Sequence, residues 1–147
     1  MEEAKIELIN QVLKPLQKAI NELDFEQVRS REQLEKFLYN FYYKLGTIIF
    51  QQKQIMSSLL IAAAGEHGTI RQKVVDYLNY LYLYLHDFVK KNSGRPPFRE
   101  MDDSVLPSAL LGMIIGGIFE AEKSGEHFDV QRWATEMARF ETGALTC

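Results

Sequence analysis

Cysteine and histidine, which build most disulfides and metal sites, are scarce in this sequence. Among 147 residues the one cysteine is Cys147, so no disulfide can form within the chain, and a reducing cytoplasmic setting is expected. The three histidines, His67, His86 and His127, show neither the spacing of a two-histidine metal motif nor a Glu-x-x-His pair. We therefore expect no metal and no cofactor.

Long apolar runs and an excess of basic charge are also missing. The longest apolar stretch, residues 105–119, is shorter than the roughly 20 residues that span a membrane. The opening Met-Glu-Glu-Ala-Lys has no apolar run of the kind found in signal sequences. With 17 basic and 20 acidic residues the net charge is −3, which leaves no basic face for DNA phosphates. We expect no membrane association and no direct DNA binding.

Catalytic signatures are absent as well. The sequence has no glycine-rich phosphate loop and no Gly-x-Ser-x-Gly nucleophile elbow. The terminal Cys147 lacks the ordered surroundings that a catalytic thiolate requires. We predict that the chain is not an enzyme.

The chain is rich in apolar residues at helical spacing. The first stripe recurs every three or four residues, at Ile6, Ile9, Leu13, Leu16, Ile20 and Leu23. Pro15 lies inside this predicted helix and removes a backbone donor, so a kink or a break is expected there. A capping box, Ser30 with Gln33, begins a second helix over residues 34–49, which Gly46 weakens without ending.

A third and a fourth helix are predicted in the middle of the chain. Residues 55–64 form a short aliphatic segment that stops at Gly65 and Gly68. Thr69 can cap the next helix, residues 70–91. The centre of that segment alternates like a strand, but its length without a breaker favours a helix.

Two further helices follow a loop over residues 92–103. Ser104 can cap a helix with Pro107 in its first turn, where proline is tolerated. Asp129 can cap a final helix that carries Val130, Trp133, Met137 and Phe140. The pattern predicts an all-α bundle of about six helices that forms one domain over residues 1–147.

Small residues are concentrated in the fifth predicted helix. Ser108, Gly112 and Gly116 fall on one line of this helix, with Gly117 beside it. Because glycine costs up to about 1 kcal/mol per site relative to alanine, its presence here indicates close approach of another helix. We interpret this as a self-association seam completed by the last helix. Tight packing inside one subunit is the alternative.

Tyrosines are concentrated in the second and fourth helices. Tyr77, Tyr80 and Tyr84 fall on one face of the fourth helix. Since a buried tyrosine needs a partner for its hydroxyl, such a cluster is typical of a pocket that is apolar with a few polar points. An aromatic core whose hydroxyls reach the surface is the alternative.

The order of these segments resembles the C-terminal effector-binding and dimerisation domain of TetR-family transcriptional regulators. The likeness covers an opening helix over residues 3–23, the segment Met-Ser-Ser-Leu-Leu-Ile-Ala-Ala-Ala-Gly-Glu-His over residues 56–67, and the long helix 70–91. It continues through the last two helices, residues 106–122 and 130–140, to the ending Phe-Glu-Thr-Gly-Ala-Leu. The helix-turn-helix domain with which that family begins is missing. The chain is thus expected to be either a fragment or a stand-alone relative.

The resemblance implies a function. The last two helices of each subunit would form a four-helix homodimer interface, and the earlier helices would surround a mostly apolar pocket. Ligand binding would shift the first helix, with Pro15 as a flex point, and so alter the spacing of the DNA-binding domains. DNA would be bound only through the missing N-terminal domain.

We therefore predict a ligand-sensing, homodimerising regulatory domain whose ligand is a small apolar or aromatic molecule. The residues predicted to line the pocket are Phe37, Phe41, Leu59, Tyr77, Leu81 and Tyr84. Those predicted to form the dimer seam are Gly112, Met113, Gly116, Gly117, Trp133, Met137 and Phe140. The alternative function is a stand-alone helical adaptor that binds proteins and no small molecule.

Overall fold

Six α-helices make up the fold of the computed structural model, which describes residues 2–65 and 68–147, without the side chains of residues 2–6, 8, 59–60 and 62–65. The helices are α1 (Glu2–Asn21), α2 (Arg31–Gln51), α3 (Lys53–Gly65), α4 (Thr69–Asn92), α5 (Leu106–Ser124) and α6 (Val130–Leu145). A short 3₁₀ turn, Gly125–His127, joins the last two. The described residues contain no β-strand, only one antiparallel bridge between Phe98 and Thr146. The predicted all-α bundle is confirmed.

Two of the predicted helix starts are confirmed by their capping bonds. The Ser30 Oγ accepts a hydrogen bond from the Gln33 amide at 3.2 Å, and the Gln33 side chain accepts one from the Arg29 amide at 2.7 Å. The Asp129 Oδ1 accepts from the Arg132 amide at 3.1 Å. Each cap satisfies amides that have no partner within the first turn of the helix.

The other two predicted caps differ from the structure. Thr69 is itself the first residue of α4, and the capping position falls to Gly68, whose φ of 120° suits glycine. Ser104 is held by the Asp102 side chain, which accepts hydrogen bonds from both its amide and its hydroxyl. This local turn delays the start of α5 to Leu106.

α1 runs through Pro15 to Asn21, so of the predicted kink or break, the break is absent. Pro15 lies on the exposed side of the helix. Water can there satisfy the carbonyl oxygen that loses its partner when proline replaces a backbone donor. Among the described residues no helix is both long and apolar enough to cross a bilayer.

The core lies between α2, α4, α5 and α6, with α1 closing one side against α4 and α2. α6 packs chiefly on α2. Its buried residues are Ala134, Ala138, Glu141, Thr142 and Leu145. The inward face of α6 is thus mostly small, and Phe140 is 65% exposed.

The loop between α4 and α5 holds two distant parts of the chain together. It covers residues 93–105, one residue later at its start and two later at its end than the predicted loop. The Arg95 guanidinium donates to the Phe25 carbonyl at 2.9 Å and to the Val28 carbonyl at 3.3 Å. Arg99 donates to the Ala144 carbonyl at 2.6 Å. The loop therefore holds the α1–α2 connection and the end of α6 in place.

Candidate ligand site

An apolar cavity of about 30 Å³ lies between α1, α3, α4 and α5. It has room for about two water molecules. Leu13 and Leu16 form its α1 wall, Tyr77 and Leu81 its α4 wall, and Ile114 part of its α5 wall. The cavity is therefore closed on one side by the first helix of the chain.

A second cavity, of about 20 Å³, lies beside the first and has room for about one water molecule. Ile114 lines both cavities, so its side chain is their common wall. The α1 wall of the second cavity is Ile20, and most of its remaining lining is apolar. Three polar side chains, Glu141, Tyr42 and Tyr84, also line it.

The Glu141 carboxyl is buried in the centre of the bundle. Glu141 is 5% exposed, and its Oε2 accepts a hydrogen bond from the buried Tyr42 hydroxyl. Burial raises the pKa of Glu141 to about 7, although the hydrogen bond from Tyr42 acts in the opposite direction. Burial also raises the pKa of Tyr42 well above its usual 10.0, and the neighbouring Glu141 charge adds to this. Among the described residues no cation forms an ion pair with Glu141.

Sequence reasoning missed Glu141, although the sequence contains a signal for it. Glu141 follows Ala134 by seven residues and Ala138 by three, which places it on the same helix face. That face is the buried one, because the small alanines let α6 approach α2 closely. The larger apolar residues that drew the prediction, Met137 and Phe140, lie beside it and are half-buried and exposed.

The structure brings four of the six predicted pocket residues to the cavities. Tyr77 and Leu81 line the first cavity, and Phe41 and Tyr84 line the second. Phe37 lines neither, because its ring packs on Phe25 with centroids 4.7 Å apart. The side chain of the sixth, Leu59, lies outside the described residues.

The tyrosine hydroxyls of α4 bind α1 and the residues that follow it. Tyr77 donates to Asn10 Oδ1 at 2.9 Å, Tyr80 to Asn21 Oδ1 at 2.8 Å, and Tyr84 to the Leu23 carbonyl at 3.3 Å. Two of these hydrogen bonds hold α1 against α4, one at Asn10 and one at its last residue, Asn21, and the third holds the residues that follow it.

A surface notch of about 350 Å³ lies directly outside the second cavity. Four residues line both the notch and the cavity: Leu23, Phe25, Tyr84 and Phe88. The charged residues of the notch are three acids and two bases: Asp24, Glu26, Asp87, Lys91 and Arg95. A layer of aromatic and aliphatic side chains thus separates an acidic surface from the buried carboxyl.

The predicted dimer seam divides into two groups. Gly117 and Trp133 contact each other inside the subunit, and a Cβ at Gly117 would come closer to the indole than real Cβ atoms do. A Cβ added at Gly46 on α2 would lie 3.0 Å from Cε3 of the same indole. These two predicted seam residues therefore pack tightly inside one subunit.

The remaining seam residues lie nearer the surface. A Cβ at Gly112 or Gly116 would meet nothing within 4 Å. Phe140 is exposed, and Met113 and Met137 are half-buried. On α5 the two glycines are continued by Phe119, which is 44% exposed. Gly112, Gly116 and Phe119 form what we call the exposed α5 strip.

Within the described residues no group of three or more His, Cys, Asp or Glu side chains could hold a metal ion.

Comparison with known proteins identifies no relative of the chain. No model of a protein family matches the chain, and no curated protein or solved structure matches it either. The resemblance to the TetR family therefore stays a prediction.

Proposed function

We propose that the chain is a ligand-sensing, homodimerising regulatory domain of a cytoplasmic transcriptional regulator, as its resemblance to the TetR family implies. The observation that carries the sensing part is the pair of adjoining cavities between α1 and the rest of the bundle. Their linings are apolar apart from Tyr77, Tyr84, Tyr42 and Glu141. That composition suits a small, mainly apolar ligand with one polar end.

The small size of the cavities supports a sensing function over passive storage. Together they hold about three water molecules, so a larger ligand must displace a wall. α1 supplies a wall of both cavities through Leu13, Leu16 and Ile20. Because ligand can shift a conformation only by binding it better, a cavity that opens when α1 moves couples occupancy to the position of α1.

The exposed α5 strip supports the dimer. Its glycines present backbone on which a second helix can pack closely, and Phe119 adds apolar surface. Phe140, 65% exposed on α6, is a further large apolar side chain that a second copy would cover. A second copy of the chain is the simplest partner, because most soluble oligomers are homo-oligomers of closed symmetry and two-fold dimers are the commonest kind.

Ligand binding is tested with straight-chain alcohols from n-butanol to n-octanol. We expect at least one of them to raise the unfolding temperature, by an amount that grows with the logarithm of its free concentration above its Kd. Failure of the whole series to bind at millimolar concentration, measured by calorimetry, would favour the adaptor alternative.

Movement of α1 is tested in the same samples by distances between spin labels. With Cys147 replaced by Ser, labels at Lys18→Cys on α1 and Asn79→Cys on α4 are expected to separate when alcohol binds. Labels at Lys36→Cys and Gln131→Cys, on α2 and α6, are the matched control and keep their distance. All four label positions are exposed. An alcohol that binds without changing the first distance would contradict sensing through α1.

A further inference from the structure

The chemistry of the ligand can be inferred from the Glu141 carboxyl. A carboxylate offers about four acceptor positions. The described residues supply one hydrogen bond to this one, from the Tyr42 hydroxyl, and no ion pair. The carboxylate therefore has capacity for further donors. Because an isolated buried charge is costly, a further donor would stabilise it.

The groups around the carboxyl are otherwise uncharged. On α2 the facing polar group is the Tyr42 hydroxyl, and on α4 it is Tyr84, whose hydroxyl is turned to the Leu23 carbonyl. α5 contributes Leu110 and Ile114, and α1 contributes Ile20. A cation that reached the cavity would therefore meet one negative group and no competing positive one among the described lining residues.

The surface notch supplies a second and independent observation. It lies over the cavity that contains Glu141, and it carries more acidic than basic residues. Lys91 pairs with Asp87 at 2.9 Å. Arg95 donates to the neutral Phe25 and Val28 carbonyls and keeps its positive charge. Asp24 and Glu26 together outweigh that charge, so the notch has a net charge of −1 and favours cations where Tyr84 separates surface from cavity.

We propose that the ligand is a slender lipophilic amine, whose ammonium group pairs with the Glu141 carboxylate while its apolar chain occupies the space that opens at the two cavities when a wall is displaced. This inference rests on the interior ligand site of the proposed function. Tyr42 is a positioning residue that holds one carboxylate oxygen, which leaves the other for the ammonium group. Folding has already removed the carboxylate from water, so the attraction has to offset only the desolvation of the ammonium group.

The pH dependence of amine binding has a definite direction. An alkylammonium, like a lysine side chain with a pKa of about 10.4, stays charged between pH 6 and pH 8. Glu141, with its pKa raised to about 7, is mostly ionised at pH 8 and mostly protonated at pH 6. An amine binding at pH 6 must therefore release one proton from Glu141 to solvent, and its affinity falls about tenfold relative to pH 8.

The test compares n-hexylamine with n-hexanol, which share a chain length, by titration calorimetry of the full chain. At pH 8 we expect the amine to bind at least tenfold more tightly than the alcohol. At pH 6 we expect the affinity for the amine to be about tenfold lower, while the affinity for the alcohol is unchanged. In Glu141→Gln the preference for the amine disappears while alcohol binding persists. Glu136→Gln, an exposed position on the same helix, keeps the preference.

Each other outcome has one meaning. Equal affinity for amine and alcohol in the native chain overturns the amine proposal and leaves the ligand site intact. An amine preference that survives Glu141→Gln also overturns it, because the cation then binds elsewhere. If neither compound binds, the proposed ligand-sensing function fails, and this inference fails with it. Retained alcohol binding shows that the Glu141→Gln variant is folded.

Discussion

At the scale of single residues, Glu141 has the largest consequence for stability. The unfolded chain loses this proton near the ordinary value of 4.5, whereas the folded chain keeps it to about 7. Between these two values the folded state holds more protons, so raising the pH lowers the free energy of unfolding. Above pH 7 this decrease in the free energy of unfolding is complete, and it amounts to about 3 kcal/mol.

Glu141→Gln is therefore expected to stabilise the ligand-free chain at pH 8 and to have little effect at pH 4.5. The amide keeps an acceptor for the Tyr42 hydroxyl and carries no charge to desolvate. Thermal unfolding at the two pH values measures the difference, which we expect to reach roughly 10 °C at pH 8. Glu136→Gln serves as the control. A stabilisation of equal size at both pH values would mean that Glu141 does not titrate as inferred.

At the scale of helices, Trp133 connects three elements. Its ring packs between Gly46 on α2 and Gly117 on α5, while its own backbone belongs to α6. Glycine at both positions lowers helix propensity but leaves room for the indole. α6 therefore contacts α5 through the Trp133 ring.

Gly117→Ala is expected to destabilise the chain by about 1–3 kcal/mol, because the new methyl group overlaps the indole. Urea unfolding measures the change. Gly112→Ala is the matched control, since its methyl group meets nothing in the subunit. In a Trp133→Phe background the cost of Gly117→Ala should shrink, which a double-mutant cycle records. If Gly117→Ala destabilised the Trp133→Phe variant equally, the methyl group would overlap a residue other than Trp133.

The sequence predicts helices far better than it predicts which faces they bury. Spacing, the Ser30 and Asp129 caps and the breakers placed all six helices, because these signals are local. The buried face of α6 depends on Ala134 and Ala138, whose small size matters only once α2 is alongside. Glu141 was missed for the same reason, since a carboxylate is usually solvent-facing.

At the scale of the whole molecule, the chain is expected to be a homodimer of twice 17.0 kDa. Light scattering at tens of micromolar measures the mass. Gly116→Leu and Phe140→Glu place bulk or charge on surfaces that a partner would cover, so each should shift the mass towards one chain. Leu83→Glu, at a 56% exposed position on α4, is the control and should leave the dimer intact. A native chain that is already monomeric would refute the dimer.

The cavities illustrate what only a folded molecule can display. Tyr77, Leu81, Phe41 and Tyr84 were predicted as lining from helix faces alone, and they do line the two cavities. Their division by Ile114, and the notch outside Tyr84, depend on how α1, α4 and α5 meet in space. No spacing rule along one helix contains that information.

The three tyrosine hydroxyls that hold α1 also set how much ligand a sensor of this design would need. Each hydrogen bond favours the closed arrangement by about 0.5–1.5 kcal/mol, and binding must overcome their sum. Tyr77 and Tyr84 also line cavities, so changing them would alter the ligand site as well as the threshold. Tyr80, which bonds Asn21 and lines neither cavity, is different. If the proposed sensing function holds, a change at the Tyr80 hydroxyl would alter the ligand concentration needed for a response without altering which ligand is bound.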